Sequence, residues 1–561
     1  NKSIPIGWGD KLLCGLPKKA DSSTLANVHP IGLLEVLRKL WTSLIVVRIQ
    51  DVWEKHNVLH AAQSGYRWRR STSTAILQLT EAIEASRDNP DSNPLFATFW
   101  DYKAAFDSIP RNLMRLAWSR LGVPDEYVQW LTDLDEDGLT FFLSPFMANK
   151  LQTRSEEELL SSNEDGHLIL EQLLGFQAER GVTQGDTMAT ICWVAIFDMI
   201  LTWSDPENTS SDAAYADDLV TLTEDLSLQQ TKADLISSFC AFSGMAISIP
   251  KIEAIYIQHP DAHPLPPQTL ILRDWKWDPT PVPMLRVSPN ESTKYLGARV
   301  SFGHLEKQSF QWCKDHIRTT TSVLQMKRAT GQCKQKVIAV QLIPQVLYIA
   351  SHATWPLKFY LELDRILAHA IRQMYHLPPS YPSALIFLPK TDCGLNFKKI
   401  SDLAQIQKWG MLGRNSALGP ASAAVTHSLI NRATETPTTT VLFATSLVEW
   451  GRLNRMQLSQ IAPGPRSLTN DKCEELMAQL MLKEDDITNS PIGGIFSDGA
   501  FTPAAVTPIS LLTHPSQLLQ IGHGGIAVVW TPPSETLTTF STRILHVSVP
   551  SDHLQRTTPN T

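Results

Sequence analysis

The sequence predicts an α+β fold in which carboxylates stand at the ends of buried strands. Residues 96–100 are apolar and rich in aromatic side chains, which predicts a buried strand that ends at Asp101. Residues 213–222 place two adjacent carboxylates between two apolar runs, which predicts two strands and a tight turn with Asp217 and Asp218 at its tip. Helical patterns lie around these strands, at residues 74–87, 111–121, 125–134, 187–203 and 226–243.

The segments around this centre also carry local patterns. Residues 12–19 form a strand-like run that ends in two lysines. The apolar positions within residues 33–45 recur with helical spacing and predict a helix there. Residues 135–180 are acidic and predict an exposed hairpin with an insertion, and the proline-rich residues 259–289 predict a surface excursion. Residues 303–410 have mostly helical and basic patterns.

Composition indicates packed domains in a reducing compartment. Of 561 residues, 43% are hydrophobic and 19% are charged, which favours a folded core over disorder. The seven cysteines are widely spaced without a CxxC pair, so neither a zinc site nor a disulfide framework is indicated. No run of about 18 apolar residues predicts a membrane span, and no signal peptide is recognised. Because the first residue is Asn rather than Met, we expect a fragment of a longer protein.

The net charge of −7 conceals an uneven distribution. Residues 1–72 hold 11 Lys and Arg against 5 Asp and Glu, and residues 301–410 hold 14 against 6. Residues 73–300 hold 15 against 34, and residues 411–561 hold 9 against 11. Two basic segments therefore flank an acidic middle, and they can supply phosphate contacts to a nucleic acid although the whole chain is acidic. Solvated basic faces are the alternative for either segment alone.

Asp217 and Asp218 repel each other, so their proximity needs a physical reason. A divalent cation is one such reason, because it takes hard oxygen ligands and often bridges to substrate phosphates. A solvated Asp-Asp turn is the plain alternative for the pair by itself. A second acidic cluster at Asp101 and Asp107, together with the Gly181-Val182-Thr183-Gln184-Gly185-Asp186 segment between the two clusters, favours the metal site.

Three segments, in this order, resemble motifs A, B and C of reverse transcriptases. They are residues 96–107, residues 181–186 and the Tyr215-Ala216-Asp217-Asp218 box. The resemblance covers residues 11–300 well and residues 301–410 more loosely, and the flanking sequence is most similar to non-LTR retrotransposon polymerases. It implies a right-hand polymerase fold with fingers, a palm built on an antiparallel sheet and a helical thumb, followed by a helical connection and a partial ribonuclease H-like α/β segment.

The resemblance implies five consecutive regions. We expect fingers at 1–95, a palm with motifs A to E at 96–300, a thumb at 301–415, a helical connection at 416–490 and a truncated ribonuclease H-like segment at 491–561. The last assignment depends on one strand pattern that ends at Asp498-Gly499 and another at residues 524–530. An ordinary β-hairpin is the alternative for these two strands.

The resemblance also implies nucleotidyl transfer at a two-metal site. Asp101, Asp217 and Asp218 are the expected ligands of two Mg²⁺ (or Mn²⁺) ions, which clamp the attacking and leaving oxygens. The main-chain carbonyl of Tyr102 is a further candidate ligand. Residues 244–251 form a predicted turn and strand similar to motif D, and its Lys251 is a candidate general acid toward pyrophosphate. A surface lysine is the alternative.

Further residues are expected at the nucleotide and the template. Phe106 occupies the position of the aromatic gate that excludes the sugar 2′-hydroxyl, with a core phenylalanine as the alternative. Gln184 and Gly185 would lie along the incoming nucleotide and the template, because glycine allows a close backbone approach. Lys18, at the end of the first strand, and Arg70, in a family box at residues 63–72, are candidate contacts to substrate and template. Asp107 is expected to orient the loop.

The implied activity is RNA-directed DNA polymerisation, with an RNA template, a DNA primer and deoxynucleoside triphosphates as partners and no membrane. A decayed or domesticated relative that binds nucleic acid without polymerising is the alternative, which His29 favours because the family carries an arginine there. A viral RNA-directed RNA polymerase is a third hypothesis, which Phe106 disfavours because its ring would obstruct a ribonucleotide. The resemblance places the protein inside the cell, in the nucleus or a cytoplasmic ribonucleoprotein. The oligomeric state stays open.

Overall fold

The chain folds into two compact units. The computed structural model describes residues 4–5, 7–17, 28–103, 105–136, 138–143, 175–208, 211–274, 277–287, 291–302, 307–435, 441–454, 517–522, 525–530 and 545–547. The first unit comprises Asn1–Trp68, Asn93–Tyr256 and His263–Arg286, and the second comprises Arg69–Ser92, Ile257–Ala262 and Val287–Thr561. Lys18, the side chain of His29 and Asp498 lie outside the described residues, so the predictions for them stay predictions.

The first half of the chain alternates strands and helices. Its elements are β1 (Lys11–Pro17), β2 (Val28–Leu34), α1 (Val36–Lys55), α2 (Thr72–Asp88, in the second unit), β3 (Leu95–Trp100), α3 (Arg111–Arg120), α4 (Asp125–Glu136), β4 (Thr140–Leu143) and β5 (Gly175–Phe176). One sheet has the order β2-β1-β4-β5, with β1 antiparallel to β2 and parallel to β4. The antiparallel β4–β5 pair confirms the strand pairing predicted within residues 135–180, but Asp135, Thr140 and Phe141 are buried rather than exposed. The predicted insertion lies outside the described residues.

A six-stranded sheet forms the centre of the first unit. The remaining elements are α5 (Thr187–Ser204), β6 (Ala213–Tyr215), β7 (Asp218–Thr223), α6 (Leu226–Ser243), β8 (Glu253–Ile257), β9 (Gln268–Arg273) and β10 (Pro279–Arg286). The sheet order is β6-β7-β3-β8-β10-β9. β3 runs antiparallel to β7 with Trp100 opposite Leu219, so Asp101 and the β6–β7 turn fall at the same end of the sheet. The strand and hairpin predicted around Asp101 and Asp217 are therefore confirmed.

The second unit is mostly helical beyond a short hairpin. Besides α2, it contains β11 (Ser292–Tyr295), β12 (Ala298–Ser301), α7 (Gln308–Met326), α8 (Gly331–Val337), α9 (Ile343–His352), α10 (Leu357–Met374), α11 (Ser383–Phe387), α12 (Ile400–Ser416), α13 (Pro420–Glu435) and α14 (Thr445–Leu453). Buried side chains of α7, α9, α10 and α12 share one core. A second core joins α2 to α12, α13 and α14. The helical prediction for residues 303–410 is confirmed, and α2 packs here rather than with the other elements of residues 1–95.

Helix α1 does not bury the face that its apolar pattern predicts to be buried. Helical spacing would place the apolar positions of residues 33–45 in the core. Instead β2 continues to Leu34, and Leu37, Leu40 and Leu44 are 59%, 59% and 52% exposed. The buried face carries Arg38 and Thr42, which bind polar groups inside the unit. Buried ionic contacts therefore outweigh the apolar stripe in orienting this helix.

The prediction of a surface excursion at residues 259–289 is wrong. β9 and β10 extend the six-stranded sheet, with antiparallel pairing from Pro279–Arg273 to Met284–Gln268. Leu270 and Leu272 are fully buried. Prolines usually argue against strands because they cannot donate to the ladder. Here they alternate along β10 on an exposed face, and burial of the β9 leucines stabilises the pair.

The described C-terminal strands form a small antiparallel sheet. β13 (Gln517–Gly522), β14 (Gly525–Trp530) and β15 (Leu545–Val547) follow the order β13-β14-β15. β14 confirms a strand at residues 524–530, and its partner is β13. The strand pattern before Gly499 lies outside the described residues, so the ribonuclease H-like assignment stays a prediction.

Helix α5 is the one described helix that is long and apolar enough to cross a membrane by length and composition. Its mean hydropathy is 1.4, and 72% of its residues are buried inside the protein. Trp193 and Phe197 are fully buried there. A core helix meets the same criterion, so this feature is weak evidence for a span.

Candidate active site

The β6–β7 turn presents the two adjacent carboxylates. Tyr215 pairs with Asp218 across the hairpin, so Ala216 and Asp217 make the turn. Ala216 has φ +56°, in the left-handed region that costs a residue with a Cβ roughly 1–2 kcal/mol. Asp217 is half-buried and Asp218 is exposed, so the two neighbouring carboxylates have different surroundings.

Asp101 and Asp217 lie close enough to affect each other. Burial raises the pKa of Asp217, and the negative charge of Asp101 raises it further, against the effect of a hydrogen bond with the residue's own backbone. Burial also raises the pKa of Tyr66 to about 12, with contributions from the charges of Asp217 and Asp218. These shifts show an acidic region at the end of the central strands.

Asp101 and Asp217 bring two carboxylates into one acidic region. Within the described part of the chain, no three Asp, Glu, His or Cys side chains come together to hold a metal ion by themselves. Magnesium is commonly held by one or two protein carboxylates, with waters and substrate phosphates completing its shell. Asp101 and Asp217 provide that number of carboxylates, and their binding of a metal ion stays a prediction. The supporting role of Asp218 stays a prediction.

Lys251 forms an ion pair with Asp101. Its ammonium lies 3.0 and 3.3 Å from the two carboxylate oxygens, and both side chains reach solvent. A β-bridge between Tyr102 and Ile247 brings the segment after β3 next to the segment before Lys251. The amide of Ser248 donates to the Asp101 carbonyl at 2.7 Å. Residues 249–251 form a 3₁₀ turn, so the strand predicted there begins later, at β8. Action on pyrophosphate stays a prediction for this lysine.

Tyr102 contributes its side chain to the core. Its ring packs edge-on against Phe197 with 5.7 Å between centroids, and burial raises the pKa of its hydroxyl well above the usual value. The bridge to Ile247 uses the carbonyl of Asp101 and the amide of Lys103. The carbonyl of Tyr102 takes no part in that pairing, and its predicted role as a metal ligand stays a prediction.

Phe106 lies between the core and the acidic region. Its ring stacks on Trp193 with 5.0 Å between centroids and meets Tyr66 edge-on at 6.5 Å. Trp193 is fully buried in α5, whereas Phe106 is half-buried. One side of the Phe106 ring is therefore held in place while part of the residue reaches solvent, which a steric gate requires.

The turn at residues 183–186 has a backbone geometry that requires glycine at position 185. Gly185 has φ +110°, and a Cβ on it would lie 2.7 Å from the carbonyl oxygen of Gly32. The Gly32 amide donates to the Gln184 carbonyl at 2.7 Å, and the Gln184 side chain donates to Asp107 at 3.3 Å. The last contact supports the predicted orienting role of Asp107.

A buried ion network beneath this turn escaped the sequence analysis. The Arg38 guanidinium donates to Asp186 at 2.8 and 3.2 Å and to Asp135 at 2.8 Å. The Lys11 ammonium binds Asp135 at 3.1 Å and Thr183 at 2.9 Å. Burial alone would raise the pKa of Asp135, but the charges of Lys11 and Arg38 lower it overall. The local sequence carries no signal for this network, because an arginine beside the apolar stripe of α1 is expected to be exposed.

Arg67, in the same box as Arg70, has a structural role. Its guanidinium binds Glu54 at 2.7 and 2.8 Å and donates to two carbonyls of the preceding loop. The side chain is buried, so it cannot reach a template backbone. Arg70 belongs to the second unit, and its template contact stays a prediction.

Comparison with known proteins agrees with the motifs. Residues 16–300 match the family described as "Reverse transcriptase (RNA-dependent DNA polymerase)". The chain is 22% identical over 425 residues to the "Retrovirus-related Pol polyprotein from type-1 retrotransposable element R2" of Popillia japonica, which covers 74% of this chain and 54% of that protein. It is 34% identical over 98 residues to the "Probable RNA-directed DNA polymerase from transposon BS" of Drosophila melanogaster, which covers 18% of this chain and 10% of that protein. The chain thus spans about half the length of the first relative and a tenth of the second.

Two solved structures illustrate the similarity of the chain to known folds. Apo telomerase from Candida tropicalis has a TM-score of 0.40 at 11% identity, over 80% of this chain and 68% of that one. The RNA-dependent RNA polymerase of a human picorbirnavirus has a TM-score of 0.35 at 10% identity, over 71% and 64%. The family match covers just over half of the chain, including all three motifs, and the chain therefore belongs to the reverse transcriptase family.

Proposed function

We propose that this chain is the RNA-directed DNA polymerase of a non-LTR retrotransposon, extending a DNA primer on an RNA template with deoxynucleoside triphosphates. The observation that supports this most directly is the approach of Asp101 and Asp217 at one end of the β3–β7 pair. Burial and Asp101 both disfavour the charge on Asp217, so a bound cation would be stabilised there by relieving that repulsion.

Asp101 and Asp217 would hold two Mg²⁺ (or Mn²⁺) ions, with Asp218 as a supporting carboxylate. When bound, such ions stabilise negative charge on the attacking and leaving oxygens. The half-buried Phe106 would restrict the space beside the sugar. Gln184 and Gly185 would line the nucleotide and template.

Positive charge near the site would help to hold the triphosphate and the template. Lys251 forms an ion pair with Asp101 and balances the charge of that carboxylate. Lys18 and Arg70 are proposed to contact substrate and template. By family resemblance we also propose that the protein acts inside the cell, in the nucleus or a cytoplasmic ribonucleoprotein, which cell fractionation of the expressed protein tests.

The direct test is primer extension on an RNA template with Mg²⁺ and deoxynucleotides. We expect Asp217→Asn to lower the extension rate on the order of 10³-fold, because catalysis depends on preorganised charge at the reacting phosphate. Asp225→Asn is the matched control. It makes the same change at an exposed helix cap, where Asn also caps well, and should extend at the wild-type rate.

The outcomes separate the competing functions. Wild-type extension by a folded Asp217→Asn protein contradicts the metal assignment. A wild-type protein that binds primer–template without extending it supports the decayed relative. Extension with ribonucleotides alone supports an RNA-directed RNA polymerase.

A further inference from the structure

The side chain of Gln63 binds both main-chain polar groups of Ala216, the residue before Asp217. Its Oε1 accepts from the Ala216 amide at 3.2 Å, and its Nε2 donates to the Ala216 carbonyl at 3.2 Å. Oε1 also accepts from the amide of Gly65 at 2.7 Å. Gln63 is fully buried, so water does not compete for these bonds. One side-chain amide therefore forms a clamp across the turn that carries the catalytic carboxylate.

The loop around Gln63 is held against the hairpin by its own backbone. The Ser64 amide donates to the Ala214 carbonyl at 2.8 Å, and the Ala214 amide donates to the Ala62 carbonyl at 3.1 Å. A Cβ on Gly65 would lie 2.1 Å from the Ala216 nitrogen, so glycine is required for this approach. Gln63 thus reaches Ala216 from a loop that is itself fixed to β6.

The conformation of Ala216 requires such support. Its φ of +56° is disfavoured for any residue with a Cβ, and it persists only where surrounding contacts determine it. Relaxation of Ala216 would rotate the following residue, Asp217, away from its present position beside Asp101. The direction of the Asp217 carboxylate therefore depends on contacts made at Ala216.

We propose that Gln63 is a positioning residue that holds Ala216 left-handed and thereby aims Asp217 at the metal site. The inference deepens the proposed function, since aiming this carboxylate matters for catalysis only if it binds the catalytic cations. Gln63 itself touches neither substrate nor metal.

The chain contains a matched control for this clamp. Gln230 binds Ile271 in the same way, with Oε1 accepting from the Ile271 amide and Nε2 donating to its carbonyl, both at 2.8 Å. Ile271 lies on β9, the edge strand opposite β6 in the same sheet. Gln63→Met and Gln230→Met each remove a two-sided amide clamp, but only one of them acts on the catalytic turn.

The test compares these two variants in the full chain. Primer extension is measured against Mg²⁺ concentration, Mn²⁺ binding without substrate is measured by electron paramagnetic resonance, and folding is checked by thermal melting. For Gln63→Met we expect kcat to fall, and the Mg²⁺ requirement and the Mn²⁺ dissociation constant to rise, by about 10- to 100-fold. Gln230→Met should lower the melting temperature less, because Gln230 is half-buried and water can replace its hydrogen bonds, and it should leave the other measurements near wild type.

A second substitution separates positioning from packing. Glycine takes positive φ without the steric cost, so adding Ala216→Gly should restore part of the lost Mn²⁺ affinity of Gln63→Met. A packing role predicts no recovery. If Gln63→Met does not fold, Gln63→Asn is used, because its shorter amide stays polar yet cannot reach both groups of Ala216, and the same losses are expected.

Two results would overturn the proposal. One is a folded Gln63→Met protein with wild-type Mn²⁺ affinity and Mg²⁺ dependence. The other is an equal loss in Gln230→Met. Absence of extension by the wild-type protein instead contradicts the proposed function, and Mn²⁺ affinity then still tests the clamp.

Discussion

Asp217, the proposed metal ligand, is placed at a cost to the stability of the fold. Its carboxylate is half-buried, and both burial and Asp101 raise its pKa. The ionised form needed for metal binding is therefore disfavoured in the folded, metal-free protein. Ala216 adds backbone strain directly before it. Strain and unfavourable charge thus meet in two consecutive residues, as is common at functional sites.

In the metal-free protein we expect Asp217→Asn to melt above wild type at pH 7. The folded pKa of Asp217 is raised above its ordinary value of 3.8, so the stability contributed by the protonated carboxyl is complete below that value and is lost as the pH rises through the folded pKa. Asn has no such loss, so the difference in melting temperature should grow from near pH 3 toward neutral pH. Calorimetry across this range measures it.

Asp225→Asn is a control for which the pH dependence of stability should have the opposite sign. Hydrogen bonds from the Ser227 side chain and amide lower the pKa of Asp225. Its stabilising contribution is therefore present above the ordinary pKa and lost as the pH falls through the lowered one. A melting difference for Asp217→Asn that shrinks as the pH rises would contradict the pKa shift assigned to it.

We expect Phe106→Ala to relax sugar selection by about 10- to 100-fold, because removing the ring opens the space that a 2′-hydroxyl needs. Single-nucleotide incorporation kinetics with ribo- and deoxynucleotides measure the ratio. Phe197→Ala is the control, since Phe197 also packs on Trp193 but is fully buried. It should cost roughly 3–5 kcal/mol of stability and leave the ratio unchanged. Unchanged selectivity in a folded Phe106→Ala protein contradicts the gate.

At the scale of elements, α1 shows how a few charged contacts orient a helix. Arg38 joins α1 to the C-terminal end of α4 through Asp135 and to the N-cap of α5 through Asp186. Helices α1 and α4 thus hold the turn before α5 through this network. Strand β1 contacts the same turn through Lys11, and strand β2 contacts it through Gly32. This arrangement links the fold of the first sheet to the position of Gln184 and Gly185.

We expect Arg38→Met to destabilise the protein by about 3–5 kcal/mol, because it leaves Asp186 buried without its arginine partner and Asp135 with Lys11 alone. Arg115→Met is the control, since Arg115 is 40% exposed and its bond to Glu136 should be worth about 0–1 kcal/mol. Urea titrations measure both. The Arg38→Met penalty should shrink as the pH falls, because Arg38 helps to lower the pKa of Asp135 and this contribution to stability is lost once Asp135 is protonated. A penalty that grows toward acid pH contradicts this explanation.

At the scale of the whole molecule, the charge distribution predicts how nucleic acid binding responds to salt. The chain is acidic overall, yet residues 1–72 and 301–410 are strongly basic. If these segments contact about six phosphates, primer–template affinity should fall by about 10³ between 50 and 200 mM salt. Fluorescence anisotropy at constant Mg²⁺ measures how the affinity depends on salt. Arg115→Met changes a residue in the acidic middle and should leave this salt dependence unchanged. A flat titration contradicts phosphate binding by the basic segments.

The sequence by itself determined the central strands, the main helices and the family. The strand before Asp101, the β6–β7 hairpin and helices α5 and α6 follow from local apolar patterns and from capping residues close in the chain. Such patterns are readable because each depends on neighbours within a few residues. Each of the three motifs is likewise a short local pattern, and the family match confirms the resemblance that they carry together.

Only the tertiary structure decided which faces are buried and which distant groups meet. The apolar stripe of α1 faces outward because Arg38 finds buried carboxylates far along the chain, and β9 joins the sheet because its leucines find a core. Gln63 and Ala216 are separated by 153 residues. No local pattern reports such a contact, because its energy arises from desolvation and hydrogen bonding that exist only once the chain has folded.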